Sequence, residues 1–205
     1  MTRLFIFDFD GVVVASLDTY EGTVKQCLEK IGQPIVRNRQ DFLELFEDNF
    51  YESLVKKGVN LEAFMACSGD ILAQVDYGAI EPYADLLPVL QSLQRENILV
   101  IVSSSDSQDI RQIMTRYHLT DYFRDVFGSD VHLSKREKIL QALAKHRVPK
   151  ENTFYVGDTT GDIKEGKAVG VRTIAVTWGW HTREQLLALA PDYLIDSPEQ
   201  LLTVS

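Results

Sequence analysis

The sequence predicts an α/β protein with a doubly wound parallel sheet and a smaller, all-helical domain inserted after the first strand. Short apolar runs bounded by Gly, Asp or Ser alternate with amphipathic helical patterns, which is the β-α-β-α order typical of parallel sheets. One long segment after the first run has helical spacing only. Hydrophobic residues make up 45% of the 205 residues and charged residues 25%, as in ordinary globular proteins.

Four apolar runs are predicted to be buried strands, because each is short, continuous and flanked by turn residues. They are Leu4 to Phe7, Ile98 to Val102, Phe154 to Val156 and Thr173 to Val176. Helices are expected in the part of the chain that follows the inserted domain, each with its apolar residues on one face. These predicted helices lie around Leu86–Leu93, Ile110–Tyr117 and Ile139–Ala144, with two further helix starts at Thr182 and Ser197.

The predicted insertion covers residues 16–80, where no strand-like run occurs. Three apolar stripes at helical spacing predict three helices there. The stripes are Tyr20, Val24, Cys27, Leu28 and Ile31; then Phe42, Phe46, Phe50 and Leu54; then Leu61, Phe64, Met65 and Leu72. The chain is thereby divided into a core of residues 1–15 and 81–205 and a helical cap of residues 16–80. Ligands of open α/β sheets bind outside the carboxyl ends of the strands, so a cap inserted there is expected to act as a lid.

Composition narrows the classes of partner. With 30 Asp and Glu against 21 Lys and Arg, the net charge is -9, which disfavours a nucleic-acid partner. The apolar run at the start is too short for a signal peptide or a membrane span, so we expect a cytoplasmic protein with no membrane partner. Cys27 and Cys67 lie in helical patterns and are expected to be buried thiols rather than a disulfide.

The first chemically suggestive motif is Asp8-Phe9-Asp10-Gly11, directly after the first strand. Alternation places the two carboxylates on one side, and Gly11 permits a tight turn that presents main-chain amides to an anion. Two such carboxylates raise each other's pKa unless a cation such as Mg²⁺ is bound. Taken alone, a plain turn with a helix cap explains these residues equally well.

Two further places offer groups that suit a phosphate. Ser103 and Ser104 follow the second strand and supply hydroxyls and amides, although Asp106 in the same run is also a simple helix cap. Lys135 stands at a predicted helix start, where the dipole opposes it, so a phosphate or an aspartate partner would explain its position. A solvated lysine is the common alternative, and Lys138, one turn on, is the other candidate for an active-site lysine.

The fourth place follows the strand that ends at Val156 and contains Asp158 and Asp162. Paired carboxylates at a sheet edge suit a hard cation that prefers oxygen ligands. Each of the four motifs is weak alone, because a loop residue or a helix-start charge explains it. Their order along one edge of a sheet predicts a phosphate site with bound Mg²⁺.

Together these motifs resemble the haloacid dehalogenase superfamily, in particular its phosphatases with a helical cap after the first strand, such as the phosphoglycolate phosphatases. The resemblance implies that Asp8 is a nucleophile and Asp10 a general acid and base. It also implies that the transferring phosphoryl group is held by Ser103 and Lys135, with Gly11 and Ser104 beside it. The implied ligands of Mg²⁺ are Asp8, the main-chain carbonyl of Asp10, Asp158 and, as a further or outer ligand, Asp162.

The predicted function is hydrolysis of a small-molecule phosphate monoester through an aspartyl phosphate, with phosphoglycolate as the candidate substrate. A sugar-phosphate mutase on the same scaffold and a noncatalytic protein phosphorylated on Asp8 are the alternatives. Either a monomer or a homodimer fits the sequence. Basic residues of the cap are candidate contacts for an acidic substrate, although solvated surface positions explain them more simply: Arg37, Arg39, Lys56 and Lys57. For Trp178 and Trp180 we expect packing rather than substrate stacking.

Overall fold

A computed structural model describes residues 2–131 and 133–204; Met1, His132 and Ser205 lie outside the described residues. Six parallel strands form one sheet in the order β3-β2-β1-β4-β5-β6. The strands are β1 (Leu4–Phe7), β2 (Ile98–Val102), β3 (Asp125–Phe127), β4 (Thr153–Gly157), β5 (Arg172–Val176) and β6 (Tyr193–Ile195). This is a doubly wound order, and it confirms the predicted fold class.

Nine α-helices are described in the same residues. They are α1 (Leu17–Lys30), α2 (Arg39–Leu43), α3 (Phe50–Lys56), α4 (Leu61–Leu72), α5 (Leu86–Leu93), α6 (Ser107–Arg116), α7 (Lys135–His146), α8 (Thr160–Val169) and α9 (Arg183–Ala188). Short 3-10 turns complete the chain at Glu44–Phe46, Tyr77–Ala79, Ser129–Val131, Lys150–Asn152 and Pro198–Thr203. The helix starts predicted at Thr182 and Ser197 carry capping boxes, although the second begins a 3-10 helix.

The sheet is covered on both faces, because alternate residues of its central strands point to opposite sides. Phe5, Phe7, Leu99 and Ile101 pack with α5 and α6 on one face. Leu4, Ile6, Val100 and Tyr155 pack with α7 and the end of α8 on the other. Strands buried on both faces are expected to read as continuous apolar runs, which is why the sequence revealed them.

The segment from residue 16 to residue 80, called the helical segment below, contains helices and turns but no strand. It has its own apolar cluster, which includes Cys27, Phe42 and Leu54 and which Trp180 joins from the loop after β5. Cys27 and Cys67 are buried free thiols, as predicted. The division into a core and a cap at residues 15/16 and 80/81 stays a prediction.

Two details of the sequence-based assignment were wrong. The stripe from Phe42 to Leu54 is broken into α2, a 3-10 turn and α3, because Asn49 caps a new helix by accepting hydrogen bonds from the N–H groups of Tyr51 and Glu52. Strands β3 and β6 were missed. Each has three residues and lies at a sheet edge, where partly exposed side chains do not produce an apolar run.

Candidate active site

The register of the central strands brings the predicted motifs to one edge of the sheet. Phe7 of β1 pairs with Ile101 of β2 and with Val156 of β4, so these strands end side by side. Asp8, Ser103 and Asp158 follow these ends within a few residues. The carboxyl edge of the sheet is therefore where the charged side chains meet.

Asp8 is buried, and both of its carboxylate oxygens have partners. Oδ1 accepts a hydrogen bond of 2.8 Å from the N–H of Phe9, and Oδ2 lies 2.7 Å from Lys135 Nζ. Burial raises the pKa of Asp8 to about 8, even though Lys135 acts in the opposite direction. Further positive charge near Asp8 would favour its ionised form.

Lys135, rather than Lys138, reaches the acidic cluster. Its Nζ lies 2.7 Å from Asp8 Oδ2 and 2.7 Å from Asp162 Oδ1. Burial disfavours the ammonium group, but Asp162 and Asp8 hold the pKa of Lys135 well above its usual value. Lys138 instead donates a 2.8 Å hydrogen bond to the carbonyl oxygen of Ser103, so it supports the loop that follows β2.

Asp162 is saturated with hydrogen-bond donors. Its Oδ1 accepts from Lys135 and from Tyr155 Oη, whereas Oδ2 accepts from the N–H and the hydroxyl of Thr159. Burial opposes ionisation of Asp162, but Lys135 and these hydrogen bonds lower its pKa overall. Thr159 and Asp162 form the capping box of α8, so the helix start fixes this carboxylate.

Asp158 differs, because half of its carboxylate is unused. Oδ2 accepts a 2.7 Å hydrogen bond from the N–H of Trp180, but Oδ1 is buried and has no partner within the described part of the chain. Burial and the nearby Asp162 and Asp8 raise its pKa well above the usual range. A buried, unpartnered carboxylate oxygen is costly unless another group binds it.

These three carboxylates fit a divalent cation. One oxygen each from Asp8, Asp158 and Asp162 lies within 4.8 Å of the others. All three are buried, and such oxygen-rich sites suit Mg²⁺. The chain also leaves room at Asp158, since a Cβ on Gly11 would lie 2.0 Å from its Oδ2 and a Cβ on Gly179 would lie 2.3 Å away.

Asp10 contacts the loop after β2 rather than this trio. Its Oδ2 lies 2.6 Å from Ser105 Oγ and 3.4 Å from Ser103 Oγ. Ser105 Oγ also lies 3.0 Å from Tyr20 Oη in α1. Because a hydroxyl carries one hydrogen, a Ser105 that donates to Asp10 accepts from Tyr20. Burial raises the pKa of Asp10, and the hydrogen bond from Ser105 offsets part of that rise.

The predicted phosphate contacts are placed unequally. Ser103 and Ser104 line the cavity beside Asp8. The N–H of Gly11 donates to the carbonyl of Val14 at 2.9 Å, so this amide is already engaged. Gly11 serves the site through its φ of +78° and its missing side chain instead.

The cavity over this edge has a volume of about 600 Å³. Its wall on the helical segment is largely aromatic and aliphatic. The side chains of that wall include Tyr20, Val24, Phe46, Phe50, Tyr51, Phe64, Met65, Leu72, Val75 and Tyr77. Tyr51 Oη donates to the Ser104 carbonyl at 3.2 Å, a second contact between the helical segment and the loop after β2.

Sequence reasoning missed two residues that join the sheet edge to the helical segment. Trp180 packs edge-on against Phe46, with ring centroids 4.8 Å apart. Its main-chain N–H donates the hydrogen bond to Asp158 Oδ2. The packing expected for Trp178 and Trp180 is found, but Trp180 also lines the cavity. His181 accepts from the N–H of Thr160 through Nδ1, and its Nε2 lies 3.1 Å from the Leu43 carbonyl. Burial lowers the pKa of His181, which favours the neutral ring.

Comparison with known proteins agrees with this geometry. A family model described as haloacid dehalogenase-like hydrolase matches residues 5–176. A phosphoglycolate phosphatase from Synechococcus elongatus is 31% identical over 98% of this chain and 95% of its own. Phosphoglycolate phosphatase 1 from Pseudomonas aeruginosa is 25% identical over 98% of this chain and 79% of its own.

Solved structures show the same fold. A predicted phosphatase from Clostridium acetobutylicum superposes with a TM-score of 0.87 at 21% identity, covering 99% of this chain and 97% of that chain. A haloacid dehalogenase-like family hydrolase from Streptococcus pneumoniae gives 0.82 at 19% identity, covering 98% and 97%. At this identity the likeness concerns the fold alone.

The chain belongs to the haloacid dehalogenase-like hydrolases. Within that family it falls in the branch that resembles the phosphoglycolate phosphatases. This confirms the resemblance that the motifs indicated, and it confirms the prediction that the protein is an enzyme of the phosphatase class. None of the helices in the described residues is long and apolar enough to cross a membrane.

Proposed function

We propose that this chain is a Mg²⁺-dependent phosphatase that hydrolyses small-molecule phosphate monoesters through an aspartyl phosphate on Asp8. The observation that carries the proposal is the position of the Asp8 carboxylate. It opens onto the cavity, lies 2.7 Å from Lys135 Nζ and has Asp158 and Asp162 beside it. A carboxylate held in this way is poised as a nucleophile.

Asp8 attacks the phosphorus of the bound ester in line with the departing oxygen. A bond forms between phosphorus and an Asp8 oxygen while the ester P–O bond breaks. The hydrogen bond from Phe9 and the contact with Lys135 orient the carboxylate. Lys135 also neutralises charge on the transferring group, and Ser103 and Ser104, which line the cavity, supply further donors.

Asp10 transfers the protons. Burial raises the pKa of Asp10, which makes this carboxyl group a better proton carrier, and in the first step Asp10 protonates the departing alcohol. In the second step Asp10 takes a proton from the water that attacks the aspartyl phosphate, which restores Asp8 and releases inorganic phosphate. Ser105 holds the Asp10 carboxyl in place throughout.

Asp8, Asp158 and the main-chain carbonyl of Asp10 would hold Mg²⁺, with Asp162 as a further or outer ligand. The unpartnered Oδ1 of Asp158 supports this assignment. When bound, Mg²⁺ supplies charge neutralisation of the phosphoryl oxygens and favours the ionised carboxylates. Asp162 mainly orients Lys135, because its oxygens already accept hydrogen bonds from four donors.

The test is release of inorganic phosphate from a panel of monoesters that includes phosphoglycolate, because relatives bear the name of that activity. The protein is assayed with Mg²⁺ or with a chelator, beside Asp8→Asn. Release that needs Mg²⁺ and disappears in the variant is the expected result. Equal background from both proteins would overturn the proposal, and phosphate moved to another hydroxyl instead of water would favour a mutase. A cytoplasmic location and a monomeric or homodimeric state remain predictions.

A further inference from the structure

The residues that line the cavity are unevenly charged. Beyond the carboxylates of the reaction, Asp106 and Asp109 also line it. Lys135 is the one Lys or Arg among the described residues of this lining, and it is already paired with Asp8 and Asp162. A phosphoryl group with its metal would consume that positive charge. The remainder of a substrate therefore meets no cationic side chain among these residues.

The cations of the helical segment do not reach the cavity. Arg37 pairs with Asp41 at 2.9 Å, and Arg39 pairs with Glu21 at 2.7 Å and with Asp18. Both arginine side chains are exposed, and neither belongs to the described lining. The same holds for the remaining two candidates, Lys56 with Asp48 at 3.6 Å and Lys57 with Glu44 at 3.7 Å. The surface position expected for these four residues is the one found.

The wall opposite Asp8 is instead suited to an apolar group. Aromatic rings from the helical segment form much of this wall, and Trp180 adds to it from the loop after β5. A cavity of about 600 Å³ lies within the range that holds drug-sized ligands, roughly 300–1,000 Å³. Phosphoglycolate, the ester of a two-carbon acid, would fill a small part of it, and its carboxylate would share the cavity with Asp106 and Asp109.

We infer that the preferred substrate is a phosphate monoester whose leaving group is apolar, preferably aromatic, and carries no negative charge. The inference rests on the proposed phosphatase activity and adds the class of substrate. Within the described lining of this cavity a negative leaving group would lose hydration without gaining a cation, and Asp106 and Asp109 would repel it. An aromatic leaving group would instead bury its surface against the rings of the helical segment.

The test compares esters of primary alcohols of similar acidity, so that the chemical step is matched. One pair differs in charge alone: 2-(4-carbamoylphenyl)ethyl phosphate and 2-(4-carboxyphenyl)ethyl phosphate. A second pair differs in apolar surface: 2-phenylethyl phosphate and ethyl phosphate. We expect kcat/KM to favour the carbamoyl ester, and the phenylethyl ester in its pair, by at least about tenfold each. Phosphoglycolate should be among the poorest substrates.

A gain-of-function variant tests the charge argument independently. Gln112 of α6 lines the cavity on the same side as Asp109. Gln112→Arg should raise kcat/KM for the carboxylate ester about fivefold relative to its carbamoyl twin, because one nearby unit charge is worth about 1 kcal/mol in a wet site. Gln112→Met, which has similar length and no charge, should leave the ratio unchanged.

The outcomes separate the two claims. Phosphate release that depends on Asp8 but favours the carboxylate ester or phosphoglycolate would overturn the inference and leave the phosphatase standing. Absence of release from every ester, with the native protein equal to Asp8→Asn, would overturn the phosphatase proposal itself. An arginine at position 112 that leaves the carboxylate ratio unchanged would also contradict the inference.

Discussion

The sheet edge and the helical segment face each other across one cavity, yet they hold their side chains in different ways. On the sheet edge, Asp8 and Asp162 are buried, Lys135 is largely buried, and short hydrogen bonds from loops and helix starts fix all three. On the helical segment, aromatic rings dominate, and Tyr20 and Tyr51 cross to the other side through single hydroxyl contacts. The difference supports our proposal that the edge carries the chemistry and the helical segment selects the leaving group.

The largest effect is expected from the lysine of the sheet edge. Lys135→Met removes the cation that lies between Asp8 and Asp162, and we expect kcat to fall by about 10²–10³-fold, the usual cost of losing one preorganised donor. Lys138→Met is the matched control, since Lys138 contacts the Ser103 carbonyl rather than the acidic cluster. Steady-state kinetics on both variants would contradict the assignment if Lys138→Met were the more damaging.

A smaller but still large effect is expected from the glycine beside Asp158. In Gly179→Ala the new Cβ would lie 2.3 Å from Asp158 Oδ2, so the carboxylate must move. Changes beside a metal ligand typically cost about 10–100-fold in metal affinity or activity, and we expect such a loss in a Mg²⁺ titration of activity.

A glycine-to-alanine substitution at an uncrowded position in a helix should instead stabilise the protein. Gly22 lies in α1 with open space around it, so Gly22→Ala should raise the free energy of unfolding by about 0.5–1 kcal/mol and leave Mg²⁺ affinity unchanged. Chemical denaturation and the Mg²⁺ titration measure both. Equal behaviour of the two alanine variants would refute the crowding at Asp158.

The contact between the two sides should matter to a lesser degree. Tyr20→Phe removes the hydroxyl that reaches Ser105 and, through it, Asp10. The loss of one hydrogen bond worth about 1 kcal/mol from the series Tyr20–Ser105–Asp10 should lower kcat about fivefold with little change in KM. Tyr51→Phe is the control, because its hydroxyl contacts the Ser104 carbonyl and not Asp10. A larger loss of kcat in the control would argue against the chain from Tyr20 to Asp10.

The smallest effect concerns stability. Burial lowers the pKa of Lys138 to about 8 from a usual value near 10.5. Between these values the unfolded chain binds more protons, so this residue makes the folded state more stable as pH rises from 8 toward 10.5. The free energy of unfolding of the native protein minus that of Lys138→Met should therefore increase between pH 7.5 and pH 9.5. A constant or shrinking difference would contradict the buried, depressed lysine.

Much of the sheet edge was predictable from the sequence, because strands buried on both faces read as apolar runs and the polar residues after them stand out. Asp8, Ser103 and Asp158 were found in this way, whereas Lys135 was found from its unfavourable position at a predicted helix start. The roles of Ser105, Tyr20 and His181 were not predicted, because each depends on contacts between residues 21 to 138 positions apart in the chain. Ser105 stood in a noticed serine run, whereas Tyr20 was indistinguishable from the other apolar residues of α1.

The break at Asn49 and the short edge strands escaped for related reasons. An asparagine cap interrupts a helical stripe without changing its spacing, so the residues from Phe42 to Leu54 still resemble one helix.

The individual metal and catalytic roles of the acidic residues stay predictions. The geometry brings the carboxylates together, and the bond that each one makes or breaks is part of the proposed mechanism.

The stereochemical course at phosphorus tests the central claim most directly. The thiophosphate analogue of an ester such as 2-phenylethyl phosphate, made chiral at phosphorus by sulfur and two oxygen isotopes, is hydrolysed in water that carries the third oxygen isotope, and the configuration of the released inorganic thiophosphate is determined. Attack by Asp8 followed by attack of water on the aspartyl phosphate predicts two inversions and therefore net retention. Net inversion would show that water attacks the ester directly, and it would contradict Asp8 as the nucleophile.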